Sequence, residues 1–310
     1  MTLPSLVVGI DVSKTRLDCF VHPDGRHFSF ANTAQGVGSV VALAQQYGAF
    51  CVLEATGPCD GAIRAGLHTA GVGFHLANPR KARYFARSGN FLAKTDRVDA
   101  RMLAAYGASV ALPVEVRRSP EREELRALIS RRDQLVEMRK MERTRLSDPN
   151  PEWLAHSLAQ IIAVLDEHIG ALEQRIRTLV QSDPTLAAEH AILCSAPGVG
   201  QLTAGVLMAL LPELGQRHRR TISALAGLAP IAFESGAMRG SRHIWGGRKR
   251  VRDALYMAAL SACRVNATFK AIYQALRERG KPPKLALVAV ARRLLVALNA
   301  AIRDHKPFHT

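Results

Sequence analysis

The apolar positions of residues 6–55 fall in short runs broken by glycine and proline. "LVVGIDV" (6–12) is an apolar run ending on an acid, and "FCVLEATG" (50–57) holds another. Between them "RLDCFVHPDGRHFSFANT" predicts a β-hairpin turning at Pro23-Asp24-Gly25. "GVGSVVALAQQYG" has helical spacing, "DGAIRAGLHTAG" reads as a helix and "VGFHLANP" as a strand. "RKARYFARSG" and "TDRVDARMLAAYG" read as further helices. From Ser119 to His190 the pattern changes to Leu, Glu, Arg and Gln at helical intervals, interrupted at "SDPNPEW". That predicts two long helices, either an antiparallel coiled-coil arm or an ordinary helical linker. From Ala191 a compact helical domain is expected. It opens on a tight Pro-Gly-Val-Gly turn, passes an irregular basic segment and closes on three helices.

The order β-β-β-α-β-α-β-α matches the ribonuclease-H-like fold, with other α/β arrangements surviving if one strand is misassigned. The fold class read from the pattern is therefore α/β followed by all-α. The domains expected are 1–112, an arm over 113–190, and 191–310. A chain of 310 residues and 33.7 kDa has room for more than one core.

Charge narrows the function. Lys and Arg number 42 against 26 Asp and Glu, a formal +16 with a pI near 10.3. Such an excess selects a polyanionic partner, nucleic acid ahead of an anionic membrane surface. Five cysteines without C-x-x-C spacing argue against a zinc site or a disulfide framework and fit a reducing cytosol. No signal peptide is expected from "MTLPSLVVGIDVSK". The Ala/Leu-rich "LALVAVARRLLVALNAAI" carries Arg292 and Arg293 in its middle, so a soluble protein without a membrane span is expected.

Four acids stand out. Asp11 ends the first apolar strand and Glu54 the fourth. Asp96 and Asp99, at i and i+3, share a helix face. In a ribonuclease-H-like sheet the ends of the first and fourth strands are neighbours and a late helix crosses beside them. Four such carboxylates suit hard divalent cations in phosphoryl transfer. Each acid also has a plainer reading: Asp11 as a turn residue, Asp96 as an early-turn helix acid, Asp99 as a partner of Arg101 or Lys94. Asp18 and Asp60 rank lower because neither ends an apolar strand. Lys94, Arg97 and Arg101 flank the pair and are candidates for holding phosphate.

Between Arg217 and Arg252 nine Lys or Arg face a single acid, Glu234. Glycines there let the backbone approach a phosphate, and Arg239, Arg242, Arg248, Lys249 and Arg250 are candidate phosphate grips. Ser235, in Glu-Ser-Gly, is either a nucleophile for a phosphodiester or a turn residue in a DNA-binding loop. Ser241 is the less attractive nucleophile. The "PGVG" turn resembles the hairpin of helix-hairpin-helix modules, and a plain helix-entry turn explains it equally.

Taken in order, "GIDVSK", "LEATG", "KTDRVDARMLA", "PGVG", "LAGLAP", "ESG", "RGSRHIWGGRKRVRDALYMAAL" and "ALVAVARRLL" resemble the DEDD transposases of the IS110 (IS one-ten) insertion-sequence family. Piv-type DNA invertases are relatives of that family. The resemblance runs over essentially the whole chain. It implies an N-terminal RuvC-like domain whose Asp-Glu-Asp-Asp set falls on Asp11, Glu54, Asp96 and Asp99, with Mg²⁺, or alternatively Mn²⁺, as cofactor. It implies a C-terminal transposase domain with a nucleophilic serine at Ser235. It further implies donor and target DNA as substrates, a structured non-coding (bridge) RNA as guide, homodimers assembling into tetramers, and a cytoplasmic, nucleoid-associated enzyme of bacteria. One departure is local: "ATGPCDG" after Glu54 lacks an aromatic expected soon after the glycine. The rival reading is a Holliday-junction-type metal nuclease that uses the acids alone. "GIDVSKT" also resembles the first phosphate loop of actin-like sugar kinases, but their second, glycine-rich loop is missing. A purely architectural DNA binder leaves Glu54 and the acid pair without a purpose.

Overall fold

The computed structural model describes residues 3–55, 57–89, 91, 95–117, 119–232, 234–235, 238–239 and 242–308, with backbone alone at 58, 234, 235, 238 and 239. The chain divides into two compact units, Met1–Arg117 and Arg118–Thr310.

The first unit is built on β1 (Val7–Val12), β2 (Arg16–His22), β3 (His27–Ala31), β4 (Phe50–Glu54) and β5 (Phe74–Ala77), in the spatial order β3-β2-β1-β4-β5. β1, β2 and β3 form an antiparallel meander, while β1, β4 and β5 run parallel. Alternation along each strand sorts side chains to the two faces. Val8, Ile10, Leu17, Cys19 and Leu53 pack with Val37 and Val40 of α1 (Ala34–Gln46) and Ile63 and Leu67 of α2 (Gly61–Thr69). On the opposite face Val7, Val52 and Ala77 pack with Met102, Leu103 and Tyr106 of α4 (Asp96–Ser109) and Ala82 of α3 (Pro79–Ser88). The expected element order is therefore present.

What seats α4 is Gly9. A Cβ there would lie 2.1 Å from the Ala100 carbonyl oxygen and 2.4 Å from the Ala104 nitrogen, so helix and strand meet backbone to backbone. At Gly107 a Cβ would press on Val7 and Val52. Val7 thus meets the end of α4 and Gly9 its middle, and the helix crosses antiparallel to β1 with its first turn toward Asp11.

In the second unit α5 (Pro120–Leu146) and α6 (Glu152–Ser182) form an antiparallel pair. Its register is laced by Arg175 to Glu124 at 2.6 Å, Arg132 to Glu173 at 2.8 Å, and Arg139 and Arg143 to Asp166. Leu135, Leu165 and Ile169 form its distal core. The near end does not stand apart: Leu125, Ile129, Ile176 and Val180 share one core with Leu207, Leu255 and Leu294 of the helices that follow. These helices are α7 (Pro184–Cys194), α8 (Gln201–Leu210), α9 (Arg219–Leu225), α10 (Lys249–Val265), α11 (Ala267–Glu278) and α12 (Pro283–Arg303).

Two expected boundaries need correction. That at 190/191 falls inside α7, because the arm and the helical domain bury a common core. That at 112/113 moves to 117, because Glu115 N–H donates to the Phe74 carbonyl (2.7 Å) along the free edge of β5. The basic segment, expected to be irregular, contains four two-residue strands: β6 (Pro230–Ile231) paired with β9 (His243–Ile244), and β7 (Glu234–Ser235) paired with β8 (Met238–Arg239). α12 is long and apolar enough to cross a membrane by length and composition. Its Val290, Ala291, Leu294, Leu295 and Leu298 are buried in the shared core.

The glycine contacts predict opposite outcomes for two Gly→Ala changes. Gly9→Ala must displace α4 and should destabilise the protein by about 1–3 kcal/mol. Gly38→Ala, in open space within α1, should stabilise by about 0.4–1 kcal/mol. Urea denaturation of both variants checks the pair, and a harmless Gly9→Ala would show that the close approach is not real.

Candidate functional site

The C-terminal ends of β1 and β4 lie side by side, with Ile10 opposite Leu53, so Asp11 and Glu54 follow at the same edge. α4 begins beside them. Thr95 accepts a hydrogen bond from the Val98 N–H (3.3 Å) and starts the helix, which puts Asp96 and Asp99 in its first turn. A helix N-terminus favours acids by itself, but these two are not isolated. Asp11's carboxyl is pushed up from 3.8 to about 6, first by burial and then by the charges of Asp99, Asp96, Glu54 and Asp18. The four predicted acids therefore share one electrostatic neighbourhood.

That list adds a residue which the sequence reading ranked low. Asp18 is the cross-strand partner of Asp11 and is 5% exposed. Arg16 is its ion-pair partner at 3.7 Å, and the His27 imidazole lies 3.8 Å away, its buried Nε2 without a hydrogen-bond partner among the described residues. A signal was available: the tight connection between Val12 and Arg16 sets Asp11 opposite Asp18. Asp60, the other low-ranked acid, is buried at the start of α2 with Arg64 at 3.6 Å.

Among the described residues no three Asp, Glu, His or Cys side chains lie close enough together to enclose one ion. The acids form an open edge, not a closed cage.

Of the flanking cations, Arg97 and Arg101 are exposed on the first turns of α4, and Arg97 is near enough to help hold the His27 imidazole below its usual value, after burial. Lys94 lies outside the described residues.

In the second unit Ser235 pairs with Met238, and Glu234 with Arg239, in the inner ladder of the basic segment. The side chains of Ser235 and Arg239, and Ser241 altogether, lie outside the described residues. Arg242 is exposed. The other expected phosphate grips are engaged within the chain. Arg248 donates to Glu213 (2.7 Å), Arg250 donates to Asp133 on α5 (2.9 Å), and Lys249 pairs with Asp253 (2.6 Å). Arg252 donates to the Gly246 carbonyl (2.7 Å), beside a backbone contact between Gly227 and Gly247. Lys249 and Asp253 form a local i,i+4 pair, but no local pattern marks the Arg250–Asp133 pair, whose members are 117 residues apart.

An α/β unit with carboxylates gathered at one sheet edge, joined to a basic helical unit, has the make-up of an enzyme that acts on nucleic acid. Comparison with known proteins is more specific. Residues 8–148 match a DEDD transposase model of the IS110 type, and residues 190–274 match the transposase IS116/IS110/IS902 family. The pilin gene-inverting proteins of Moraxella lacunata and Moraxella bovis are each 28% identical to this chain, over 317 and 316 residues, with 97% of both chains covered. An uncharacterized 43.6 kDa protein of insertion element IS110 from Streptomyces coelicolor is 30% identical over 150 residues, covering 48% of this chain and 36% of that protein. The chain belongs to the IS110 family of transposases, and its activity is that of a DNA transposase or recombinase.

A DEDD-type domain implies a divalent cation, and the donors fit one. They are all carboxylates, the hard oxygen ligands such ions take, and burial followed by the charges of its acidic neighbours raises Asp11.

The raised Asp11 carboxyl has a signed consequence. Because its native pKa lies above the unfolded value, the folded chain binds the extra proton and loses stability as pH rises from about 4 to about 6. In a chelator, Asp11→Asn should therefore melt higher than the parent at pH 7 by a few degrees, and the gain should vanish near pH 4. Thermal melts at the two pH values check this, and equal melting at pH 7 would contradict it.

Proposed function

We propose that this chain is the transposase and site-specific recombinase of an insertion sequence. In this reading it cuts and rejoins DNA with a ribonuclease-H-like, RuvC-type acid site and a serine nucleophile. The observation that carries the acid site is that the charges of Glu54, Asp96 and Asp99 all reach Asp11 at one sheet edge. Support for the fold comes from the order β3-β2-β1-β4-β5 with its antiparallel meander and parallel half.

The cofactor is Mg²⁺, with Mn²⁺ as a substitute. Bound at these carboxylates, it would neutralise phosphate charge and activate an oxygen nucleophile. The chain's own residues do the rest. Asp11 and Glu54, on rigid strand ends, would hold that ion, and Asp96 and Asp99 complete the acid edge from α4. Arg97 and Arg101 hold the neighbouring backbone. In the second unit the Ser235 hydroxyl attacks a phosphodiester. An Oγ–P bond forms as one bridging P–O bond breaks, and the released sugar oxygen takes up a proton. Attack by the hydroxyl of a second DNA end reverses the exchange, frees Ser235 and joins the strands. Arg242 and Arg239 are the cations proposed to face the charge that builds up there.

The partners proposed are donor and target DNA and a structured non-coding RNA that pairs with both. The excess of 42 Lys and Arg over 26 acids suits polyanionic partners. Homodimers that assemble into tetramers, in the bacterial cytoplasm, complete the proposal.

Incubation with donor DNA, target DNA, guide RNA and Mg²⁺, followed by denaturing trapping, should yield a protein–DNA adduct. Ser235→Ala should give neither adduct nor recombinant, and Asp11→Asn and Glu54→Gln should abolish strand cleavage. A Ser235→Ala protein that recombines like the parent would contradict the serine role. Hydrolysed ends without an adduct would identify a junction nuclease instead.

A further inference from the structure

The cations that the sequence singles out near "GGRKRVR" are partly engaged by Glu213, Asp133 and Asp253, so exposed cations elsewhere in the chain bear on how the substrate's phosphates are held. Helix α3, "PRKARYFARS", has them. It carries no acid, and its cations form no ion pair among the described residues. Ala82, Phe85 and Ala86 turn inward onto the core beneath α4, and Phe85 meets the Tyr106 ring at 5.1 Å. Arg80, Arg83 and Arg87, at i, i+3 and i+7, occupy the opposite face and are exposed, with Tyr84 between them 56% exposed. Like charges at these spacings modestly disfavour a helix, which an anion lying along the face would relieve.

Its position matters as much as its charge. β5 ends at Ala77, the register partner of Glu54, and α3 starts two residues later behind the Asn78 cap. Arg80 therefore stands at the sheet edge that holds the acids. From Arg80 to Arg87 the stripe is about 10 Å long. A duplex carries about one charge per 1.7 Å of axis, so the stripe can address several phosphates at once. Arginine offers them bidentate hydrogen bonds, and the Tyr84 hydroxyl can donate to the same backbone.

We propose that the Arg80–Arg83–Arg87 face of α3 is the surface that holds the DNA backbone as it enters the acid edge. This rests on the acid edge being where DNA is cut. DNA, not RNA, is the partner because the stripe begins where the strand to be cut must lie.

The test is the salt dependence of binding by the full chain, read by fluorescence anisotropy with a labelled duplex of arbitrary sequence. R80Q/R83Q/R87Q should bind more weakly, and the slope of log K against log salt should fall by about 2 to 3, since each phosphate contact contributes about 0.9. Lysine at the same three positions should keep most of the slope, which a merely structural role would not require. Glutamine is nearly as good a helix former as arginine, and circular dichroism confirms that α3 persists. An unchanged slope overturns the proposal, as does a loss confined to a labelled structured RNA. Cleavage by Asp11→Asn tests the acid site separately, so either reading can fail without the other.

Discussion

The close approach of α4 to β1 at Gly9 is the contact on which the acid-bearing unit depends. With any larger residue the Ala100 carbonyl and the Ala104 amide could not come so near the strand, and the helix would ride higher. At its present height Leu103 and Tyr106 bury against Val7 and Val52, and the first turn brings Asp96 and Asp99 into the field of Asp11. Apolar burial on that face thus sustains an arrangement of carboxylates that repel one another. An acid held near 6, first by burial and then by like charges, is a stability cost of the kind found at functional sites.

The second unit treats charge differently. Arg248, Arg250 and Arg252 fasten the start of α10 to Glu213, to Asp133 on α5 and to the Gly246 carbonyl. The base of the basic segment is therefore tied both to the arm and to the helical core. A net charge of +16 overstates what is available to an external anion, because part of it is used as internal bracing. The exposed cations of α3, Arg97 and Arg101 belong to the other unit, on or beside the acid edge.

Much of this was legible along the chain. Strands ending on acids, a glycine-punctuated hairpin and two long helices split at "SDPNPEW" all carry local signals, and the corresponding elements are present. Three features were not legible, each because it depends on distant residues. The arm merges with the C-terminal core because Leu125 and Ile129 meet Leu207 and Leu294, and periodicity reports only that a helix face is apolar, not what covers it. The engagement of Arg250 depends on an acid on another helix. The two-residue strands of the basic segment are too short for alternation to register, and pairing alone defines them. Asp18 is an intermediate case, hidden by its mid-strand position but recoverable from the hairpin register.

In the proposed function Asp11, Glu54, Asp96 and Asp99 together hold a divalent cation. Mn²⁺ titration of the full chain followed by electron paramagnetic resonance, in parent and Asp11→Asn protein, tests it most directly. The parent should bind Mn²⁺ saturably, in competition with Mg²⁺, and the variant should lose at least tenfold in affinity. Equal Mn²⁺ binding by the two proteins would contradict it.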